Sequence, residues 1–277
     1  MNLRGTRSLS WREILESAAK NVKESIKPLL GSKKAEESLG MGAGGEIIKR
    51  IDYTAEQAII ETLKDYEVSC IFVSEESGIK KIGKDPTEFL IVDPIDGTLN
   101  ALRGINFYCT SLAVSKNRFL NGVYAGLVMN LINGDIYYGE KNKGAYLNQK
   151  TIHTSSIEDL EESIIGIDLC FLKDESIIRK ALSFLKKVSH TRYFGANALE
   201  LCQVASGLIE GFIDLRKRLR ITDIAAGQLI VKEAGGLVIS LNGKELNSRI
   251  SLKERISLIA AANQRLSKKI MKVLQLL

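Results

Sequence analysis

The segment Asp93-Pro94-Ile95-Asp96-Gly97-Thr98 places two carboxylates three positions apart, where the apolar run Phe89-Leu90-Ile91-Val92 gives out. Pro94 fixes φ and removes a backbone donor, and Asp96-Gly97 turns the chain, so both acids can point into one volume. Carboxylates that close repel one another, and one stays protonated unless a cation sits between them. Mg²⁺ supplies such a charge and takes hard oxygen ligands. Gly97 and Thr98 would offer backbone N–H groups at a helix start, a natural seat for phosphate, and the Thr98 hydroxyl could orient a water. Asp-Pro and Asp-Gly are also common turn dipeptides. Taken alone, the segment reads as an ordinary type I turn as well.

Three further acids bear on that choice. Glu75 follows the apolar run Cys70-Ile71-Phe72-Val73, Asp223 opens an expected helix, and Asp52 stands just before a helix expected over Thr54 to Tyr66. Each has a plainer reading: a solvated Glu75-Glu76 pair, an N-cap at Asp223, a cap at Asp52. Together they form a set of acids at strand and helix ends, the donor set that two-metal phosphoryl transfer requires. Other metal chemistry has little to draw on. The histidines are His153 and His190, and Cys70, Cys109, Cys170 and Cys202 lie far apart in apolar contexts. That spacing fits neither zinc nor a disulfide framework, and buried thiols are expected.

The elements that must position these acids follow from periodicity. Ser10 to Glu13 reads as a capping box ahead of a helix running to about Leu30. Gly40 to Gly45 matches G-x-G-x-x-G by letter, but no strand precedes it, so a mobile loop is expected. Strands at Cys70–Val73 and Phe89–Val92 lead into an antiparallel meander: Tyr108–Val114, Gly122–Asn130, Asp135–Glu140 and a last edge at Gly144–Asn148. From about Ser156 strands and helices alternate: strands at Ile164–Ile167, Gly211–Leu215, Leu237–Ile239 and Ile256–Ala261, helices at Asp174–Lys187, Ala198–Ser206 and Asp223–Ala234, and a final helix. This predicts an α+β half over 1–155 and an α/β half over 156–277.

The 277 residues are 45% apolar and 26% charged, as in a globular enzyme. No apolar run approaches the roughly 18 residues of a membrane helix, and Met1 to Ser10 lacks the features of a signal peptide; a cytoplasmic protein is expected. The formal net charge of +6 is spread along the chain apart from Arg216-Lys217-Arg218-Leu219-Arg220. A nucleic-acid-binding module using that basic segment is the alternative of another class. Clustered carboxylates argue against it, since without metal they repel phosphates.

Ser74-Glu75-Glu76, Asp93 to Thr98, Gly195-Ala196-Asn197-Ala198-Leu199-Glu200-Leu201-Cys202, Asp223-Ile224-Ala225-Ala226-Gly227 and Glu233-Ala234-Gly235-Gly236 stand in an order that resembles the inositol monophosphatase family, from about Trp11 to the C-terminus. The resemblance implies a five-layered α-β-α-β-α sandwich and an Mg²⁺-dependent phosphatase holding two to three ions, with Mn²⁺ able to substitute. By that match Glu75, Asp93, the Ile95 carbonyl, Asp96 and Asp223 are the metal ligands. Thr98, Asp52 and Glu76 are the expected catalytic residues, with a water oriented by Thr98 and Asp52 attacking phosphorus in line. A homodimer is implied too. Two positions depart from the common pattern: Thr222 stands where Trp is usual, and Arg216 where an acid meets inositol hydroxyls. An Arg fork suits a second phosphate. The chain is therefore similar to the archaeal branch that accepts inositol-1-phosphate and fructose-1,6-bisphosphate, with Gly97, Thr98, Arg192, Asn197 and Arg216 as substrate contacts. A nucleotide phosphatase acting on 3′-phosphoadenosine phosphates or NADP is the nearest alternative.

Overall fold

The computed structural model describes residues 10–276. Ser10 caps helix α1 (Trp11–Ile26) through the expected box: its N–H donates to the Glu13 carboxylate at 2.9 Å, and the Glu13 N–H donates to its hydroxyl at 3.4 Å. The helix ends at Ile26 rather than near Leu30. The Gly-rich segment is not a free loop; it is the tip of an antiparallel hairpin, β1 (Ser38–Met41) and β2 (Ile47–Lys49). Helix α2 (Arg50–Asp65) begins before Asp52, so Asp52 lies inside its first turn and does not cap it.

Two sheets follow. The first comprises β3 (Cys70–Ser74), β4 (Gly78–Ile82), β5 (Phe89–Asp96), β6 (Cys109–Ser115), β7 (Val123–Asn130), β8 (Ile136–Glu140), β9 (Gly144–Leu147) and β10 (Lys150–Ile152), with the short helix α3 (Thr98–Arg103) after β5. Its strand order is β10-β9-β8-β7-β6-β5-β3-β4, and β3 and β5 run parallel. Next come β11 (Ile164–Asp168), α4 (Glu175–Leu185), β12 (His190–Arg192), α5 (Asn197–Ala205), β13 (Gly211–Leu219), α6 (Ile221–Glu233), β14 (Leu237–Ile239), β15 (Ile256–Ala261) and α7 (Gln264–Val273). Their strands form a sheet in the order β12-β11-β13-β15-β14. Sequence periodicity does not predict β4, β10 or β12, and all three are edge strands. An edge strand is short and polar because its free backbone must be protected from other chains; exposed Lys80 and Lys81 do this on β4.

The elements stack as α1 and α2, the first sheet, α5 and α6, the second sheet, then α4 and α7, the five layers that the family resemblance implies. One core joins α1 and α2 to the outer face of the first sheet, and another joins α4 and α7 to the second. The largest core runs through the middle, where Ile224, Ala225, Ala226, Ile230 and Val231 of α6 meet both sheets. A helix buried on nearly every side is mostly apolar, with Asp223 and Gln228 the buried polar exceptions beside Thr222, and α6 keeps small residues where backbones approach. A Cβ on Gly227 would lie 2.8 Å from Leu201 Cβ, which fixes how closely α5 and α6 pack. Among the cysteines Cys70, Cys109 and Cys202 are buried as expected, but Cys170 is exposed, in the turn after β11. No described helix is long and apolar enough to cross a membrane.

Candidate active site

The acids of β5 meet through a defect in the sheet. In a regular strand, residues three apart point to opposite faces. Here Asp93 pairs with Ser111 and Asp96 with Cys109, so two residues of β5, Pro94 and Ile95, oppose Thr110 alone. This is a β-bulge, one of the few places in a sheet that tolerate proline. Ser111 and Cys109 share a face of β6, so the bulge puts Asp93 and Asp96 on that same face, toward α5. There the Ala198 N–H donates to Asp96 Oδ2 at 2.6 Å. Ile95 turns to the opposite core.

Beyond the bulge Gly97 takes φ 90° and starts α3. A Cβ there would come within 3.1 Å of Ala196 Cβ, the Phe107 carbonyl and Tyr108 Cβ, so both conformation and space demand glycine. The turn presents Thr98, whose hydroxyl lies 2.7 Å from Asp52 Oδ1 and 2.9 Å from the Ile95 carbonyl oxygen. Asn100 fixes α3 from the other side, donating to the carbonyls of Phe107 and Phe194 at 2.7 Å each. The segment before α5 is thereby tied to the acidic turn.

Glu75, at the end of β3, lies in ion-pair contact with Arg220, the residue capping α6: Nη1 is 2.7 Å from Glu75 Oε2. The contact is off the line of a hydrogen bond, for Glu75 Oε2 finds no aligned donor. The Arg220 N–H donates to Asp223 Oδ2 at 2.9 Å. The hairpin tip closes over this acid pair, with the Gly44 N–H donating to the Glu75 carbonyl at 2.7 Å and the Ala43 N–H to that of Glu76 at 3.1 Å. Between the tip and α3 opens a cleft of about 220 Å³, lined among others by Glu46, Lys49, Asp52, Glu75, Glu76 and Thr98. This is below the roughly 300–1,000 Å³ of a site that encloses a whole drug-sized ligand. It suits a phosphoryl group, with the rest of a substrate outside.

Electrostatically the site holds too much negative charge for its burial. Burial first, then neighbouring acids, pushes Glu75 and Glu76 up to about 8. Burial pushes Asp52 to about 7 against the Thr98 hydrogen bond. Asp93 and Asp96 lie well above the usual carboxylate range, by burial first and then by Glu75 beside Asp93 and Asp223 beside Asp96, and burial raises Asp223. Asp93 Oδ1 is buried without a hydrogen-bond partner. An all-oxygen, mutually repelling set with an orphaned buried oxygen fits a hard divalent cation. As they stand, no three acidic, His or Cys side chains among the described residues converge on one metal position. The reason is visible: Glu75 faces Arg220, Asp96 faces the N-terminus of α5, and Asp223 faces the backbone of its own helix.

This charge distribution carries a pH dependence. A carboxyl whose pKa is higher folded than unfolded keeps its proton in the native state. Its stabilising contribution is complete at acid pH and is lost as pH rises through the folded value, here about 7 to 8. In EDTA the melting temperature should therefore fall from about pH 5 to about pH 8, between the unfolded and folded values, and saturating Mg²⁺ should flatten the fall because cation binding releases those protons. A melting temperature in EDTA that stays level or rises across that range would contradict this charge assignment.

The family model for the inositol monophosphatase family matches residues 9–276. The chain belongs to that family. It is 38% identical to the fructose-1,6-bisphosphatase/inositol-1-monophosphatase of Methanothermobacter thermautotrophicus, over 96% of this chain and 97% of that one. It is also 38% identical to the bifunctional NADP phosphatase/NAD kinase of Methanococcus maripaludis over 93% of its length, but spans only 48% of that protein. A crystal structure described as an inositol monophosphatase-fructose 1,6 bisphosphatase superposes with a TM-score of 0.83 at 31% identity, covering 97% of this chain and all of the other. The family assigned from sequence motifs and the layered fold it implied are both borne out.

In this member of the family the expected metal ligands and catalytic residues lie near one another, and three of the expected substrate contacts are more dispersed. Asp52, Glu75, Glu76, Asp93, Asp96, Gly97, Thr98 and Asp223 come together with the Ile95 carbonyl. Asn197 opens α5 directly before Ala198, whose N–H donates to Asp96. Arg192 is exposed on edge strand β12, its guanidinium turned to the Thr191 carbonyl at 2.8 Å. Arg216 lies inside: Nε is 2.7 Å and Nη2 2.5 Å from Asp214 Oδ2, and Nη1 pairs with Asp168. Arg220, Glu46 and Lys49 are site residues that sequence reasoning did not single out, and only the basic run drew attention to Arg220. Of that run, Lys217 and Arg218 are exposed, whereas Arg216 and Arg220 are committed to acids.

Proposed function

We propose that this chain hydrolyses small phosphomonoesters, inositol-1-phosphate and fructose-1,6-bisphosphate among them, with Mg²⁺ held by Glu75, Asp93, the Ile95 carbonyl, Asp96 and Asp223. The observation that carries this reading is the bulge at Pro94, which turns Asp93 and Asp96 to one face and leaves a buried Asp93 oxygen without a donor. Bound magnesium supplies charge neutralisation and Lewis-acid polarisation of phosphate and water. The residues of the chain supply position. Thr98 and Asp52, 2.7 Å apart, form a relay in which the Thr98 hydroxyl orients a water while Asp52 accepts its proton in turn. Gly97 and the start of α3 direct N–H groups toward the phosphoryl oxygens, and Glu76 borders the same cleft. Positioning and charge neutralisation are most of what phosphoryl transfer asks of a protein. Two or three ions, replacement by Mn²⁺, a homodimer and a cytoplasmic setting complete the reading that the family supports.

Arg216 is the proposed determinant for a second phosphate. Its side chain is 10% exposed, so it can donate outward only through the N–H groups its two acids leave free. NADP belongs in the substrate panel because the Methanococcus maripaludis relative carries that activity in its name. The test compares inositol-1-phosphate, fructose-1,6-bisphosphate and NADP in Mg²⁺ for the wild type and Arg216→Gln. The variant should lose about 3 kcal/mol of stability by leaving a buried carboxylate unpaired. It should also lose kcat/KM on the bisphosphate about tenfold more than on inositol-1-phosphate, the value of one charge-assisted contact. Equal losses on both would make Arg216 a structural residue only.

A further inference from the structure

Arg220 holds the site in a way the phosphatase reading does not explain. Its guanidinium spans two carboxylates from distant segments: Nη1 is 2.7 Å from Glu75, and Nη2 is 2.5 Å from Glu46 of the hairpin tip. Its Nε is buried with no acceptor. The Arg220 and Glu75 side chains are 14% and 16% exposed, whereas Glu46 is 75% exposed. Arg220 is thus the cation in direct contact with Glu75, while Lys49 and Arg255 act on Asp52 and Asp223, and it is served unevenly: a misaligned pair with Glu75, a solvent-screened pair with Glu46 and one donor unused. A guanidinium spreads a single charge over a plane, whereas a divalent ion concentrates twice that charge at a point. For the same buried carboxylate the two compete.

We propose that Arg220 is the resident counter-cation of the metal-free site and competes with magnesium for Glu75, so that it stabilises the apo fold while weakening metal affinity. This rests on the metal-dependent reading above. It accounts for the part of the metal-free arrangement in which Glu75 is drawn toward α6.

Isothermal titration of Mg²⁺ into wild type, Arg220→Gln and Arg220→Lys, with melting curves in EDTA and in Mg²⁺, tests it. Arg220→Gln should bind Mg²⁺ about tenfold more tightly than wild type. It should melt lower than wild type in EDTA, with the gap narrowing in saturating Mg²⁺. Arg220→Lys keeps the charge but loses the fork, and should bind Mg²⁺ with an affinity between the other two. If Arg220→Gln fails to melt cooperatively in EDTA yet does so in Mg²⁺, the proposal is supported, because magnesium then replaces the missing charge. If it melts cooperatively in neither, Arg220→Lys decides, and an affinity no tighter than wild type overturns the proposal. A folded Arg220→Gln with unchanged or weaker affinity overturns it while leaving the metal reading intact. A wild type that binds no Mg²⁺ removes both.

Discussion

Asp93→Asn is expected to lower phosphate release by about a thousandfold, equivalent to about 4 kcal/mol in the barrier, and to raise the melting temperature of the protein in EDTA. The opposite signs come from one cause. Asp93 is 3% exposed, one of its oxygens has no donor, and Glu75, Asp96, Asp223 and Asp52 all raise its pKa beyond the effect of burial. In the absence of a cation the carboxylate is therefore a liability to the fold. An amide of the same shape carries no charge and relieves repulsion among its neighbours. With Mg²⁺ present the balance reverses, since the amide is a poorer ligand and the bulge then delivers one anion instead of two. Phosphate release in Mg²⁺ and melting in EDTA measure the two halves. Loss of activity accompanied by a lower melting temperature in EDTA would mean that Asp93 serves the fold.

Gly97→Ala should cost about 3 kcal/mol of stability and reduce activity by about a hundredfold. The left-handed backbone of a non-glycine residue costs about 1–2 kcal/mol, and overpacking adds about 1–3 kcal/mol. Here the new methyl would meet Ala196, Phe107 and Tyr108, each at 3.1 Å, and two of the three obstacles belong to the walls that hold α3 and α5 in register. Relief by movement of the turn would displace Thr98 from Asp52. A misplacement of about 1 Å can cost about a hundredfold in rate. Chemical denaturation gives the first number and kcat the second. A variant with normal kcat and reduced stability would show that the Thr98 to Asp52 contact tolerates movement of its turn.

Much of the site is legible in the chain because its geometry is local. Pro94 between two acids signals a strand that cannot continue regularly, and Gly97 signals the positive φ that follows. The capping box at Ser10 and the apolar stripes of α1 and α2 are equally local. What the sequence hides is pairing across distance. Arg216 looks like a free fork for phosphate, yet Asp168 from β11 and Asp214 from its own strand hold it. Arg220 looks like part of a basic run, yet it faces Glu75 and Glu46. Arg216 lies where the register of β13 shifts and Arg220 caps α6, and no local period states which acids await them. Asp52 reads as a possible cap for the same reason: its partner, Thr98, comes from another element. The Gly-rich stretch reads as a loop because glycine encodes permissiveness and not a conformation, while the hairpin it forms is held by Glu75 and Glu76 backbone carbonyls.

The central claim is that the acids gathered by the β5 bulge act through a divalent cation to release phosphate. Its most direct test is the rate of phosphate release from inositol-1-phosphate by the wild type and Asp93→Asn, side by side, in Mg²⁺ and in excess EDTA. The account predicts release by the wild type in Mg²⁺ alone, with the other three conditions at background. Equal release by the wild type in EDTA, or full activity of Asp93→Asn in Mg²⁺, would contradict it.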